Sequence, residues 1–213
     1  AEVVGILGAL AILYGSLAAL VQARLKMVIA YSTVAQLGYL LLLLPLASSL
    51  AFQAASYHLL SHGLAKAAMF LAAANILRSI GTDRLSRLAG VDQRLPLDVF
   101  ALALGGVSIM GLPPSGGFLA KWLFLQAAWV AQSWGLLLLI VAGGLLAAAY
   151  LFRVLAVICL HPRRQAPQTP TKRSPDLASI AALLLGIAAV VTGFTSAPVL
   201  DLVQSGLPPG LQP

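Results

Sequence analysis

The sequence predicts an all-α fold, a polytopic membrane bundle of about six helices, on three observations. Of its 213 residues, 60% are hydrophobic and only 9% are Asp, Glu, Lys or Arg, against roughly 25% charged in a soluble domain. The apolar residues come in uncharged runs of about 20, the length that crosses the hydrocarbon core as a helix. Those runs lack the ten-residue alternation of apolar and polar side chains that marks a membrane barrel. A soluble globular enzyme does not fit this arithmetic, because six spans and short loops leave little chain for anything else.

Taken in order, the spans are expected at residues 3–22, 27–45, 52–78, 97–132, 135–158 and 177–196. The fourth is the irregular one. Gly111-Leu112-Pro113-Pro114-Ser115-Gly116-Gly117 cannot continue a regular helix, so 97–132 is either two short spans or one interrupted span. Charge placement decides between them. Arg24 and Lys26 follow the first span, Arg78, Arg84, Arg87 and Arg94 the third, and Arg163, Arg164, Lys172 and Arg173 the fifth. If 97–132 crosses once, all three basic connections share the cytoplasmic side and both chain ends lie on the opposite face. One discontinuous span, broken around Gly111, Pro113, Pro114, Gly116 and Gly117, is therefore expected. Residues 1–196 then form a single transmembrane domain, and 197–213 an irregular non-cytoplasmic tail. The chain opens at Ala1 without a methionine, which suggests either processing or a piece of a longer protein.

The net charge of +7 is a topology signal and does not point to nucleic acid, since most of it lies in connections between apolar runs. The single cysteine, Cys159, makes no internal disulfide, and no cysteine cluster exists to hold zinc or iron–sulfur. No cofactor or metal is expected, and no redox centre.

An ionisable group inside a bilayer is costly unless it lines a hydrated interior, so each one is a functional candidate. His58, His62 and Lys66 stand at i, i+4 and i+8 in the third span, which stacks them on one helix face. Imidazole exchanges protons near neutral pH, and burial penalises the charged form of an amine, so the stripe can relay protons. Two plainer readings are metal binding, for which His at i and i+4 is a known spacing, and packing against neighbouring helices. Lys121 lies one turn into the second half of the broken span. The amides that open that half-helix repel a cation, while free carbonyls near Gly111 can hold water or a cation, so Lys121 is expected to switch protonation state; the plainer alternative is snorkelling. Lys26 opens the second span and is either a topology anchor or a relay member, with Ser32, Thr33 and Gln36 behind it able to hold water. Arg153 is expected to anchor at the interface. Asp98, Glu2 and Asp201 sit at span ends and carry little information, and the Gly143-Gly144 pair allows close helix packing.

Three stretches resemble a known family, the antiporter-like proton-translocating subunits of respiratory complex I, membrane-bound hydrogenases and Mrp-type sodium/proton antiporters. They are Leu25 to Tyr39 (LKMVIAYSTVAQLGY), His58 to Leu71 (HLLSHGLAKAAMFL) and Gly111 to Lys121 (GLPPSGGFLAK). The resemblance is specific over residues 20–130 and weak beyond. It implies two inverted five-helix repeats, each with a discontinuous helix and each forming a proton half-channel. Lys26, His58, His62, Lys66 and Lys121 match the central and exit-side relay positions of the second repeat. The six spans look like that repeat plus the final helix; the first repeat, with its glutamate and lysine, is not in this sequence.

The function expected is proton or cation translocation, as the second half-channel of a subunit in a multi-subunit complex in a prokaryotic cytoplasmic (inner) membrane. The chain would be the transport component of a redox-driven or antiport translocase. Expected partners are lipid, other membrane subunits including a chain with the first repeat, and a hydrophilic catalytic or redox subunit. The alternatives are a non-pumping structural or docking subunit, or a sodium/proton antiporter component.

Overall fold

The computed structural model describes residues 1–160 and 176–206. Arg163, Arg164, Lys172 and Arg173, and the part of the expected tail from 207 onward, lie outside the described residues. The helices are α1 (Glu2–Val21), α2 (Leu25–Leu41) with its short continuation α3 (Leu43–Leu46), α4 (Ser49–Ile80), α5 (Pro96–Met110), α6 (Gly116–Val130), α7 (Trp134–Cys159), α8 (Leu177–Val191) and α9 (Ser196–Ser205). Four spans are long and apolar enough to cross a membrane unbroken: α1, α2 with α3, α4, and α7. The bent pair α8 and α9 makes a possible fifth. The shorter helices α5 and α6 lie on either side of the expected break.

The ends follow from local chemistry. Ser48 caps α4 by accepting from the Ala51 amide at 3.2 Å, and the helix stops at Gly81 with φ +78°. Pro96 opens α5, with Asp98 in its first turn, where the helix dipole favours a carboxylate. Ser115 restarts the chain after the break, accepting from the Phe118 amide at 3.2 Å.

The connections that follow α1, α4 and α7 gather at one end of the bundle. Leu25 N–H donates to Asp83 O at 2.8 Å, Leu85 N–H to Ala23 O at 2.9 Å, and Gly90 N–H to Ile158 O at 2.9 Å. Arg78 pairs with Asp176. This is the arrangement that a single crossing by 97–132 requires. The path of that span agrees: Asp98 meets Asn75, Gly105 lies against Ala65 and Met69, Gly116 against Ser61, and the Phe124 ring lies 6.2 Å from His58. The pair α5 and α6 thus climbs α4 steadily from the basic end, as one span with a gap. Gly143 is buried where Tyr39 and Ile12 press closest.

Two expectations are corrected at the C-terminal side. The last span does not run straight to 196: it ends at Val191 and the chain turns by 73°. The next residues are not irregular, because Ser196–Ser205 is helical. Its Val199, Leu200 and Val203 are half-buried, at helical spacing, with Leu200 packed against a cluster that includes Ala51 and Phe124. That apolar face supplies the burial that a polar, proline-containing sequence concealed.

Candidate functional site

The three titratable residues of α4 face inward, with His58 2%, His62 8% and Lys66 7% exposed. The two imidazoles stack, with centroids 5.6 Å apart and planes at 17°. Packing against α2 fixes both ends of the stripe. Lys66 Nζ donates to Ile29 O at 2.8 Å and to Ser32 Oγ, while His58 Nε2 lies 3.2 Å from Gln36 O. Ser32 and Thr33 also bond back to Ile29 O, at 2.8 and 3.1 Å. Such back-bonding bends a helix and exposes its carbonyl.

Lys121 reaches backward across the break. Its Nζ donates to Ile109 O at 2.8 Å and Met110 O at 3.0 Å, two carbonyls released by the end of α5. These are the free carbonyls beside Gly111 that were expected to hold water or a cation, and the lysine amine is the group that meets them. The amine lies at the negative end of α5 and 5.2 Å from the Tyr39 ring centroid, a cation–π distance. Gly111 makes this possible: it has φ +77°, and a methyl there would sit 2.7 Å from Lys121 Cδ. Tyr39 in turn lies 5.5 Å from the His58 ring, and its hydroxyl donates to Ile140 O at 3.1 Å.

The fold therefore brings four of the five candidates together in the order Lys66, His62, His58, Lys121. His62 lies within electrostatic reach of both lysines and His58 of Lys121. Lys26 stands apart, half-exposed at the start of α2, with no hydrogen bond from its amine among the described residues. Of the polar residues behind Lys26, Ser32 accepts from Lys66 instead, while the Gln36 carbonyl meets His58 and Thr33 bonds back to Ile29 O. Arg153 is half-buried and donates to Leu20 O at the end of α1.

Two groups of buried polar residues escaped the sequence reading. Tyr150 of α7 is fully buried, with its hydroxyl turned toward the Ser32 and Gln36 side chains. Nδ1 of His58 and of His62 is unpartnered among the described residues. The only sequence signal was a tyrosine one turn before Arg153 in an otherwise apolar span. Asp98, 1% exposed, accepts from Asn75 Nδ2 at 2.7 Å and Ser179 Oγ at 2.9 Å. Beside it Arg78 bridges Asn75 and Asp176, so α4, α5 and α8 are tied together near the basic end.

Comparison with known proteins agrees with this architecture. Residues 1–147 match the family model described as NADH:quinone oxidoreductase/Mrp antiporter, TM. The chain is 34% identical to NADH-quinone oxidoreductase subunit N of Desulforudis audaxviator, an alignment that covers 97% of this chain and 44% of that protein. Among solved structures, a chain of the Mrp complex from Dietzia sp. shares the fold, with a TM-score of 0.86 at 23% identity over 95% of this chain and 46% of the other. A chain of respiratory complex I from Thermus thermophilus matches with a TM-score of 0.70 at 29% identity, over 94% and 45%. The chain thus spans less than half the length of these relatives. With most of its length matched, it belongs to the NADH:quinone oxidoreductase/Mrp antiporter transmembrane family.

Proposed function

We propose that this chain translocates protons as one half-channel of an antiporter-like subunit in an energy-converting membrane complex. The observation that carries the reading is the buried succession Lys66, His62, His58, Lys121, assembled from α4 and α6 with almost no exposure. Titratable groups at that depth are costly, and a bundle held only for its shape would be more stable with apolar residues in their places. In the relay, Lys66 gives its proton towards His62, the imidazoles pass it on, and Lys121 takes it up against the carbonyls of Ile109 and Met110. The stacked rings are not hydrogen-bonded to each other, so the step between them needs a ring rotation or a bridging water. Moving one charge against 100 mV takes about 2.3 kcal/mol. The sequence holds no nucleotide motif or cluster ligand to supply it, so the drive comes from redox chemistry in a partner or from a counter-moving cation.

Other membrane subunits complete the path. Beside His62, α4 exposes Leu59, Gly63, Ala67 and Phe70. Small residues at i and i+4 admit another helix closely, which makes this the face for the helices of the first repeat. The basic end faces the cytoplasm by the positive-inside rule, and the membrane is the prokaryotic inner membrane.

The test is Lys66→Ala and Lys121→Ala in the full-length subunit, reading ions moved per turnover by the assembled complex. Loss of translocation with assembly intact is expected. A full translocation ratio in both variants would overturn the relay and favour a scaffold.

A further inference from the structure

The turn that joins α1 to α2 pairs with the turn that leaves α4, and the pairing sets two cations side by side. Arg24 and Arg84 face each other across an antiparallel bridge, closed by the bonds from Leu25 N–H to Asp83 O and from Leu85 N–H to Ala23 O. Those bonds flank the arginine pair without joining it, the arrangement that brings opposed side chains closest, with Cα atoms about 4.5 Å apart. Side chains alternate along extended backbone. Leu25 and Leu85 are buried in the core, so the two arginines turn outward, and both are exposed. Like charges placed directly opposite each other repel.

Nothing among the described residues neutralises the pair. Neither guanidinium has a hydrogen bond or an ion pair there. Of the six acidic residues, Glu2 opens α1 and Asp201 lies on α9, both away from this end. Asp98 and Asp176 are held in the network around Asn75, and Asp83 and Asp92 form no ion pair among the described residues. Residues 161–175 contain no acid and bring four more basic residues.

An apolar wall runs into the membrane from the pair. Tyr14, Leu17 and Val21 form an exposed face of α1, and Met27 and Val34 one of α2. The Tyr14 and Tyr31 rings meet edge to face, with centroids 6.3 Å apart, so the two faces adjoin. Val21 and Met27 each stand three positions from Arg24. At 1.5 Å per residue, the wall from Val21 to Tyr14 is about 10 Å deep.

We propose that Arg24 and Arg84 bind the phosphate of an anionic phospholipid in the leaflet at the basic end, with its acyl chains laid along α1 and α2. A guanidinium presents a planar fork of donors that matches phosphate oxygens, and an anion between two of them turns repulsion into attraction. A headgroup of net negative charge satisfies two arginines better than a zwitterionic one. The bound lipid pins the α1–α2 turn to the turn after α4, the helix that carries the titratable stripe. This site is independent of the relay proposed above.

The experiment is photo-cross-linking of the assembled complex in vesicles of phosphatidylcholine and phosphatidylglycerol in equal parts. A trace of one or the other lipid carries a photoreactive acyl chain, and the modified peptides are identified by mass spectrometry. The phosphatidylglycerol probe is expected to mark the exposed faces of α1 and α2 beside Arg24, and the phosphatidylcholine probe to mark them weakly. Arg24→Gln and Arg84→Gln should each lower the phosphatidylglycerol yield roughly fivefold, and together roughly 25-fold. Arg84→Glu supplies Arg24 with a partner across the bridge, so it should keep the turn intact and still lose the yield. Arg94→Gln, at a half-exposed basic residue of the same end, should change it by less than about twofold. The site is overturned if both probes label equally, if the yield survives the double substitution or Arg84→Glu, or if Arg94→Gln lowers it as much. Absence of any lipid cross-link beside Arg24 in the intact complex, as when an acidic surface of another subunit covers the pair, also overturns it.

Discussion

Two buried polar clusters lie on the same helix and are built on opposite principles. Near the basic end of α4, Asn75 joins Asp98, Ser179, Arg78 and Asp176 in a network in which the Asp98 carboxylate is bonded through both oxygens. Toward the middle of α4, His58 and His62 stack on each other without a hydrogen bond between their rings, and the buried side chains of Gln36 and Tyr150 are held by no such network among the described residues. A saturated network fixes one geometry, and removing a member leaves orphaned groups that cost free energy. Titratable groups that are not locked to one another can change protonation state without breaking such a network. The contrast separates a tie from the proposed path.

That contrast can be broken by substitution, and the largest effect is expected in the cluster around the histidines. Lys121→Ala should slow translocation by roughly 100-fold while the complex assembles in normal amount, measured by dye-quench rates per assembled complex in inverted vesicles. Asp98→Ala should do the reverse. Stranding Asn75 and Ser179 should cost about 2–3 kcal/mol, visible as a lower melting temperature and yield, with the translocation ratio of the surviving complex unchanged. A lowered ratio would place Asp98 in the path. Tyr150→Phe sharpens the distinction at smaller scale: it keeps the ring and removes one buried hydroxyl turned toward Ser32 and Gln36, so stability should move by less than about 1 kcal/mol, while translocation slows several-fold. Smallest of all should be Lys26→Ala, with less than about a twofold change, as expected of an interfacial anchor. A large loss there would instead extend the relay to the start of α2.

How much of this was legible in the sequence depended on the range of the contacts involved. The spacing of His58, His62 and Lys66 fixes a shared helix face, because helical periodicity is a local property. The break before Lys121 is equally local, since no helix passes regularly through adjacent prolines flanked by glycines. Asp98 gave no such signal: its position at a span end looked like an interfacial charge, and only the packing of α4 and α8 around it made it buried. The turn after Val191 had faint markers in Gly193 and Pro198, but the apolar face of α9 has meaning only beside the helices it covers.

The sequence by itself determined a helical membrane chain, the placing of its basic connections, the discontinuous span and the titratable stripe. Composition, periodicity and helix-breaking residues act within one segment and need no partner to take effect. The tertiary structure decided what each titratable group touches: that Lys66 rests on Ile29 and Ser32, and that Lys121 turns back to the carbonyls of Ile109 and Met110. Those outcomes depend on which helix faces pack together and at what height, a property of the assembled bundle that no single segment encodes.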